Sequence, residues 1–266
     1  MRKFSRILGY ICLVFAIACA IMLCRHLFGE SVPSYDVDPI INPQPENDGR
    51  NNESEQPAEP GQKIEPYESP VDFGTLKKRN PDIYAWLDIP GSEISLPVLR
   101  HEGDSDYCIN RDLDGRYSAR GSLYTQSYWN GNDFSDECTI IYGHAALSGA
   151  MFGTLQEFYS DPDNFKDHNE LIIYMPNKDI HYKVFAAVPY DNRHILSSFT
   201  FSFLGNYRLF IESVYSIKAI GANVDENCEF NYTDRMLILS TCLRGNSNKR
   251  FIVCALEVTE PDDSIT

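Results

Sequence analysis

The sequence predicts a mostly β domain with flanking helices, on three observations. Eight short runs rich in β-branched, aromatic and aliphatic residues recur with turn residues between them, the pattern of a barrel or sandwich. Two stretches of helical character interrupt that series. The chain is 266 residues long and 43% hydrophobic, which suffices for one sizeable core plus appendages, or at most two small domains.

The first element, in chain order, is a membrane anchor. Residues Ile7 to Cys24 form an 18-residue run without a charge, long enough for a transmembrane helix. Arg2, Lys3 and Arg6 precede it, so the positive-inside rule places the N-terminus in the cytoplasm and the body outside the cell. A cleaved signal peptide is the rival reading. Its small-x-small site, Ala18-Cys19-Ala20, lies inside the apolar run rather than after it, and Leu23 before Cys24 fits a lipoprotein site poorly. The expectation is an uncleaved single-pass anchor over residues 1–29. Residues 30–66 hold seven prolines and many Asn, Glu, Asp and Gln. Such a composition cannot bury enough surface to fold, so it reads as a linker. Residues 67–266 form the folded body.

Within the body, Leu76 to Asn80 reads as a short helix ended by Pro81. Strands follow at YAWLDI (84–89), SLPVLR (95–100), GSLYTQ (121–126), CTIIYGH (138–144), ELIIYM (170–175) and IHYKVFAAV (180–188). Helices are expected at Ala150 to Tyr159 and, longer, at Gly205 to Ala219. MLILSTC (236–242) and RFIVCALEV (250–258) close the chain, joined by the turn-rich segment LRGNSNK.

Charge narrows the function. The first 29 residues carry four basic and no acidic residues, leaving 19 basic against 38 acidic residues for the remainder. Phosphate binding requires a basic surface, so nucleic acid is excluded as a partner. Of eight cysteines, Cys12, Cys19 and Cys24 lie in the anchor and Cys108, Cys138, Cys228, Cys242 and Cys254 in the body. Five is odd, so at least one body thiol is unpaired. There is no CxxC pair, and neither a metal nor a cofactor is expected.

The candidate chemistry lies at strand ends. Cys242 closes an apolar strand, and Arg250 opens the next. If the two strands pair as a hairpin, thiol and guanidinium face each other near its mouth. Alternation puts Met236, Ile238, Ser240 and Cys242 on one face. Cys254 is mid-strand and reads as packing, while Cys108 and Cys228 lie in polar segments. Among the body histidines, only His144 ends a strongly apolar strand and precedes a small-residue loop. His168 reads as a loop residue and His181 as the outward face of a strand. A thiol needs a base to supply thiolate and to protonate the leaving amine, and the tetrahedral intermediate needs donors for its oxyanion. Cys, His and Arg form a minimal set for peptide acyl transfer, with no Asp or Asn orienter identifiable.

The strings TIIYGH (139–144), LSTC (239–242) and KRFIVCALEV (249–258) resemble sortases. Three more resemble the class B branch: NPDIYAWLDIPGSEISLPVLR (80–100), GDSDYCINRDLDGRYSARGSLY (103–124) and GAMFGTLQEFYSDPDNFKDHNELIIY (149–174). The likeness spans about residues 70–258 and includes the long helix before the final strand pair. It implies an eight-stranded sortase-type β-barrel and a cysteine transpeptidase of the Gram-positive cell envelope. Such enzymes cut a C-terminal sorting signal after its Thr, hold the acyl group as a thioester, and pass it to a cell-wall amine of peptidoglycan or its precursor. On that likeness His144 is the acid/base, Cys242 the nucleophile and Arg250 the oxyanion or substrate clamp. Ser240 lines the groove, Ser105 and Ile109 touch the signal peptide, and residues 189–204 form a specificity wall. Two positions depart from the pattern. Arg244 stands where some class B members have an acidic residue, and Ala145 where Asn is common. A peptidase that hydrolyses the signal on the same scaffold is the alternative, and a non-enzymatic surface-binding domain a third reading.

Because the linker has no core to lose, removal of residues 1 to about 30 is expected to leave a soluble, folded body. Size-exclusion chromatography of the truncated protein checks this, and N-terminal sequencing of the native chain tests the anchor. Aggregation of the truncated protein, or a mature start after Ala20, contradicts the reading.

Overall fold

The computed structural model describes residues 67–258. The expected anchor and linker lie outside them. Among the described residues no helix is long and apolar enough to cross a membrane.

Nine strands form one sheet: β1 (Ile83–Asp88), β2 (Ser95–Leu99), β3 (Leu123–Tyr124), β4 (Cys138–Tyr142), β5 (Glu170–Tyr174), β6 (Asp179–Asp191), β7 (Asn223–Val224), β8 (Met236–Leu243) and β9 (Asn246–Glu257). Their spatial order is β5-β1-β2-β3-β4-β8-β9-β6-β7, and β6 pairs back onto β5. Eight strands therefore close into a barrel, which removes the exposed edges an open sheet would leave. The two-residue β7 rides on β6. All eight strands expected from the sequence are present.

Closure depends on β6. This 13-residue strand pairs with β5 at its start and with β9 along most of its length. A bulge at Phe185, between Val184 and Ala186, shifts its register against β9. One extra residue bends and twists a strand, which lets β6 serve two partners.

Both faces are buried from Met236 to Thr241 of β8 and from Phe251 to Leu256 of β9, which accounts for the nearly unbroken apolar runs there. Met236 and Ile238 of β8, with Ile252, Cys254 and Leu256 of β9, pack in the cluster that includes Tyr207, Phe210 and Val214. Those three come from the longest described helix, α5 (Leu204–Tyr215). By alternation, Leu237, Leu239 and Thr241 face the barrel interior. Phe210 is fully buried, and truncating such a side chain to alanine costs about 3–5 kcal/mol.

The other helices are short. α1 (Phe73–Arg79) is capped by Asp72, whose carboxylate accepts from the Thr75 amide at 2.9 Å. α3 (Pro162–Asp167) begins with a capping Asp161 and proline in its first turn. α4 is Ile195–Ser198. The helix expected from Ala150 to Tyr159 is only α2 (Leu155–Ser160). The preceding residues instead fold back on the strand they leave: Phe152 N–H donates to His144 O at 3.0 Å and Gly153 N–H to Ala150 O at 2.9 Å. Met151 takes a left-handed φ of 56° in that reversal, which no helix accommodates. The strand expected at 121–126 shrinks to β3, because Ser122 N–H donates to Cys108 O and Thr125 N–H to Leu99 O outside the β3–β4 ladder.

The β5–β6 hairpin carries a charge cluster. His181 Nδ1 lies 2.7 Å from Glu170 Oε1 and its Nε2 3.2 Å from Asp179 Oδ2. The hydrogen bond to Glu170, then that to Asp179, raises its pKa above the usual imidazole value while burial opposes them. A raised folded-state pKa gives stability that is fully present below the unfolded value of about 6.5 and is lost as pH rises through the folded value. The cluster is exposed, so solvent screening keeps the effect small. His181→Gln is expected to lower Tm slightly below pH ~6 and to match wild type at alkaline pH. Thermal melts across that range check it, and a pH-independent difference contradicts it.

Candidate active site

The hairpin of β8 and β9 builds the centre of the site. Met236↔Leu256 through Cys242↔Arg250 pair in unbroken register, and the pairing then jumps to Leu243↔Asn246. The residues 247–249 thus form a bulge beside Cys242. Its carbonyls turn onto the guanidinium: Arg250 Nη1 donates to Ser247 O at 3.1 Å and to Lys249 O at 3.3 Å. The same nitrogen lies 3.6 Å from Cys242 Sγ. Most of the segment expected to be a loop is therefore strand and bulge, and its function is to fix a guanidinium against a half-buried thiol.

His144 arrives from the neighbouring strand. β4 runs parallel to β8, with Tyr142 opposite Ser240, and Gly143 N–H donates to Ser240 O at 3.1 Å. The backbone passes very close to its neighbours there. A Cβ on Gly143 would stand 2.4 Å from Leu123 Cδ2 and 2.7 Å from Phe152 Cδ2. His144 Nε2 donates to the main-chain carbonyl of Ile109 at 2.8 Å. A carbonyl can only accept, so Nε2 carries the hydrogen, and Nδ1 is the nitrogen left for proton exchange.

His144, Cys242 and Arg250 line one cavity of about 470 Å³ together with Ile109, Ser240 and Asp106. Tyr124 and Tyr142 also line it. Burial raises both phenols above their usual range, so they stay neutral and can donate hydrogen bonds.

The opposite wall is residues 191–195, within the segment expected to form such a wall. A polar chain ties it across the cavity. His194 Nε2 donates to Gln126 Oε1 at 2.7 Å, and Gln126 Nε2 donates to Asp106 Oδ1 at 2.8 Å. His194 Nδ1 accepts from the Ser197 amide at 3.2 Å and so caps α4. One ring nitrogen donates and the other accepts, which is the neutral imidazole. Burial lowers the pKa of His194 and Asp106 pulls more weakly the other way.

Two expected positions fall elsewhere. Ser105 is not among the described residues that line the cavity; its Oγ accepts from the Tyr128 amide at 3.0 Å, and Asp106 faces the cavity in its place. Arg244 is drawn away from the thiol toward α2, where its Nη2 donates to Gly153 O at 2.8 Å and its amide to Gln156 Oε1 at 2.9 Å. His168, expected in a loop, is the C-cap of α3.

Sequence reasoning missed the Ile109 carbonyl as the partner of His144, because a main-chain acceptor leaves no mark in the residue type. It also missed the chain from Asp106 through Gln126 to His194, whose members are far apart in sequence and belong to no motif. Among the described residues no His, Cys, Asp and Glu group is arranged to hold a metal ion.

The other described thiols differ from Cys242 in their surroundings. Cys108, expected in a polar segment, is 1% exposed. Burial, then the charges of Asp82 and Asp104, push its pKa up to about 12. Burial likewise raises Cys228 to about 11 and holds Cys138 and Cys254 well above the usual thiol range.

Comparison with known proteins points one way. Residues 87–258 match the family model described as Sortase domain. The chain is 28% identical to Sortase B of Listeria monocytogenes over 167 residues, covering 63% of this chain and 65% of that protein, so it spans just under two thirds of that relative. It is 28% identical to Sortase B of Staphylococcus aureus over 193 residues, 69% of this chain and 73% of that one. The solved Staphylococcus aureus sortase B–substrate complex shares the fold, with a TM-score of 0.60, 22% identity, and coverage of 71% of this chain and 85% of that chain.

In the folded protein, iodoacetamide is expected to label Cys242 first, Cys228 more slowly, and Cys108, Cys138 and Cys254 only after denaturation. Time-resolved peptide mass spectrometry reads this order. Native labelling of Cys108 or Cys254 at the rate of Cys242 would contradict the arrangement.

Proposed function

The chain belongs to the sortase family, with class B sortases as its relatives, and from that premise we propose that it is a cysteine transpeptidase whose nucleophile is Cys242, acid/base His144 and oxyanion donor Arg250. The observation that carries the assignment is the 3.6 Å approach of Arg250 Nη1 to Cys242 Sγ in the cavity that His144 also lines. A fixed positive charge stands beside the sulfur. The same charge lies where negative charge develops on the carbonyl oxygen during attack, and one such donor is worth about 10²–10³ in rate.

The steps balance without an outside reagent. His144 Nδ1 takes the Cys242 thiol proton as Sγ attacks the carbonyl carbon of the scissile peptide bond. The tetrahedral intermediate collapses as His144 Nδ1 gives a proton to the departing amine, leaving a thioester on Cys242. An incoming amine then attacks the thioester, His144 Nδ1 takes its proton, and the departing sulfur takes that proton back from Nδ1 as the C–S bond breaks. The Ile109 carbonyl holds the ring so that Nδ1 serves both transfers.

The substrate is a C-terminal sorting signal cut after its Thr, and the acceptor is an amine of peptidoglycan or its precursor. The Staphylococcus aureus relative is known as a substrate complex, which supports a peptide occupant for the cavity. Ser240 and Ile109 line the groove, and residues 191–195 form the wall that selects the signal. Residues 7–24 anchor the enzyme in the cell membrane, residues 30–66 space it from the surface, and the catalytic body works outside the cell.

Mixing the protein with a sorting peptide is expected to yield one adduct, on Cys242, with the mass of the peptide up to its Thr. Added amine should discharge it faster than water. Intact-protein mass spectrometry with and without amine reads both, and discharge at equal rates would instead favour a peptidase. Cys242→Ala should form no adduct, and His144→Ala should lose about 10²–10⁴ in rate. Arg250→Lys, which loses the planar fork, should be impaired far more than Arg244→Ala. An adduct on another cysteine would overturn the assignment.

A further inference from the structure

We propose that Gly121 and the stacked pair His101–Tyr107 are positioning residues for His144, acting through the main-chain carbonyl of Ile109; this rests on the acid/base reading of His144. The Ile109 carbonyl that receives His144 Nε2 belongs to a single 3-10 turn, Tyr107–Asn110. Such a turn has poor hydrogen-bond geometry and does not hold itself rigid. A hydrogen bond of 2.8 Å can fix an imidazole only as well as its acceptor is fixed.

Two neighbours supply the rigidity from opposite sides. On one side the backbone of Gly121 presses against the carbonyl. A Cβ at Gly121 would lie 2.3 Å from Ile109 O, 2.8 Å from Ile109 C and 3.0 Å from Cys108 O. No side chain fits that space, and the φ of 58° at Gly121 suits glycine as well. The contact is locked by Ser122 N–H donating to Cys108 O at 3.1 Å and Ser118 N–H donating to Asn110 O at 3.0 Å. On the other side the Tyr107 ring lies flat on the His101 imidazole, with centroids 3.9 Å apart and planes 19° apart. His101 Nδ1 is itself held 2.7 Å from Asp82 Oδ2, next to the first residue of β1. The guanidinium of Arg111 stands over the Tyr107 ring at 5.3 Å from its centroid.

A continuous series of contacts therefore runs from the barrel wall at Asp82 through His101 and Tyr107 to the turn carrying Ile109 O, and on to His144. None of the first three residues lines the cavity, so none touches substrate there. Their effect is on which nitrogen of His144 carries the proton and where the ring points. Displacing a reacting group by about 1 Å can cost on the order of 10²-fold in rate.

The test uses the whole protein with a sorting peptide and an amine, beside ¹⁵N NMR of the histidine rings. In wild type, the His144 ring should carry its hydrogen on Nε2, bonded to Ile109 O. Gly121→Ala should mix the two tautomers and lower kcat by about 10–10²-fold with KM unchanged. Tyr107→Leu should act in the same direction, and Tyr107→Phe, which keeps the ring, should restore kcat. If thermal melts show that Gly121→Ala does not fold, the two Tyr107 variants decide. Unchanged kcat and an unchanged His144 tautomer in folded Gly121→Ala and Tyr107→Leu, beside loss of turnover in His144→Ala, would overturn this inference alone. Full turnover in His144→Ala would remove the acid/base premise and this inference with it.

Discussion

The pairing of β8 with β9 tolerates no slip. From Met236 to Thr241 and from Phe251 to Leu256 both strands are buried on both faces, with Met236, Ile238, Ile252 and Cys254 under α5 and the alternate residues inside the barrel. A shift of one residue would exchange the two sets, moving Cys242 off the cavity face and breaking its pairing with Arg250. The hydrophobic register that holds the barrel together is thus the register that sets sulfur against guanidinium. The bulge at 247–249 begins where that constraint ends, past the last buried pair. It can exist because nothing apolar is left there to keep in register.

The cavity draws its residues from three places with different mechanical character. Cys242, Arg250 and Ser240 belong to the most deeply packed strands. His144 lies two residues beyond β4, on a segment pinned by the Gly143 amide to Ser240 O and by its own carbonyl to Phe152. The wall at 191–195 hangs on side chains, chiefly His194 through Gln126 to Asp106. The thiol and the guanidinium therefore stand on ladder backbone, and the cavity wall at 191–195 stands on polar side chains. The neutral state of His194 belongs to this arrangement, since its unprotonated Nδ1 is what caps α4.

What the sequence made legible follows the same division. The eight barrel strands could be read because burial on both faces forces apolar runs such as those of β8 and β9. Cys242 and Arg250 could be read because they sit where such runs stop and start. The helix expected from Ala150 was misjudged because its residues have helical character but are taken up by hydrogen bonds returning to His144 and Ala150. Cys108 is expected in a polar segment because its neighbours are polar, yet the thiol itself is buried. Gly121 is read as the first residue of the strand expected at 121–126, and that reading says nothing of the carbonyl pressed against it. Side-chain pattern reports on burial; it does not report on which backbone oxygen lies next to which ring.

The parallel ladder between β4 and β8 separates chemistry from recognition in this chain. Five paired positions, Cys138↔Met236 through Tyr142↔Ser240, set the spacing of the histidine-bearing and cysteine-bearing segments. The chain between them passes through four helices and the long strand β6 before it returns. Its excursions at the cavity rim can lengthen, shorten or change sequence without altering the distance that the ladder imposes. A lineage built on this plan can exchange the wall at 191–195 for another and inherit the same juxtaposition of histidine and cysteine. Under the proposed function, diversification of the recognised signal then does not require His144 and Cys242 to be positioned anew.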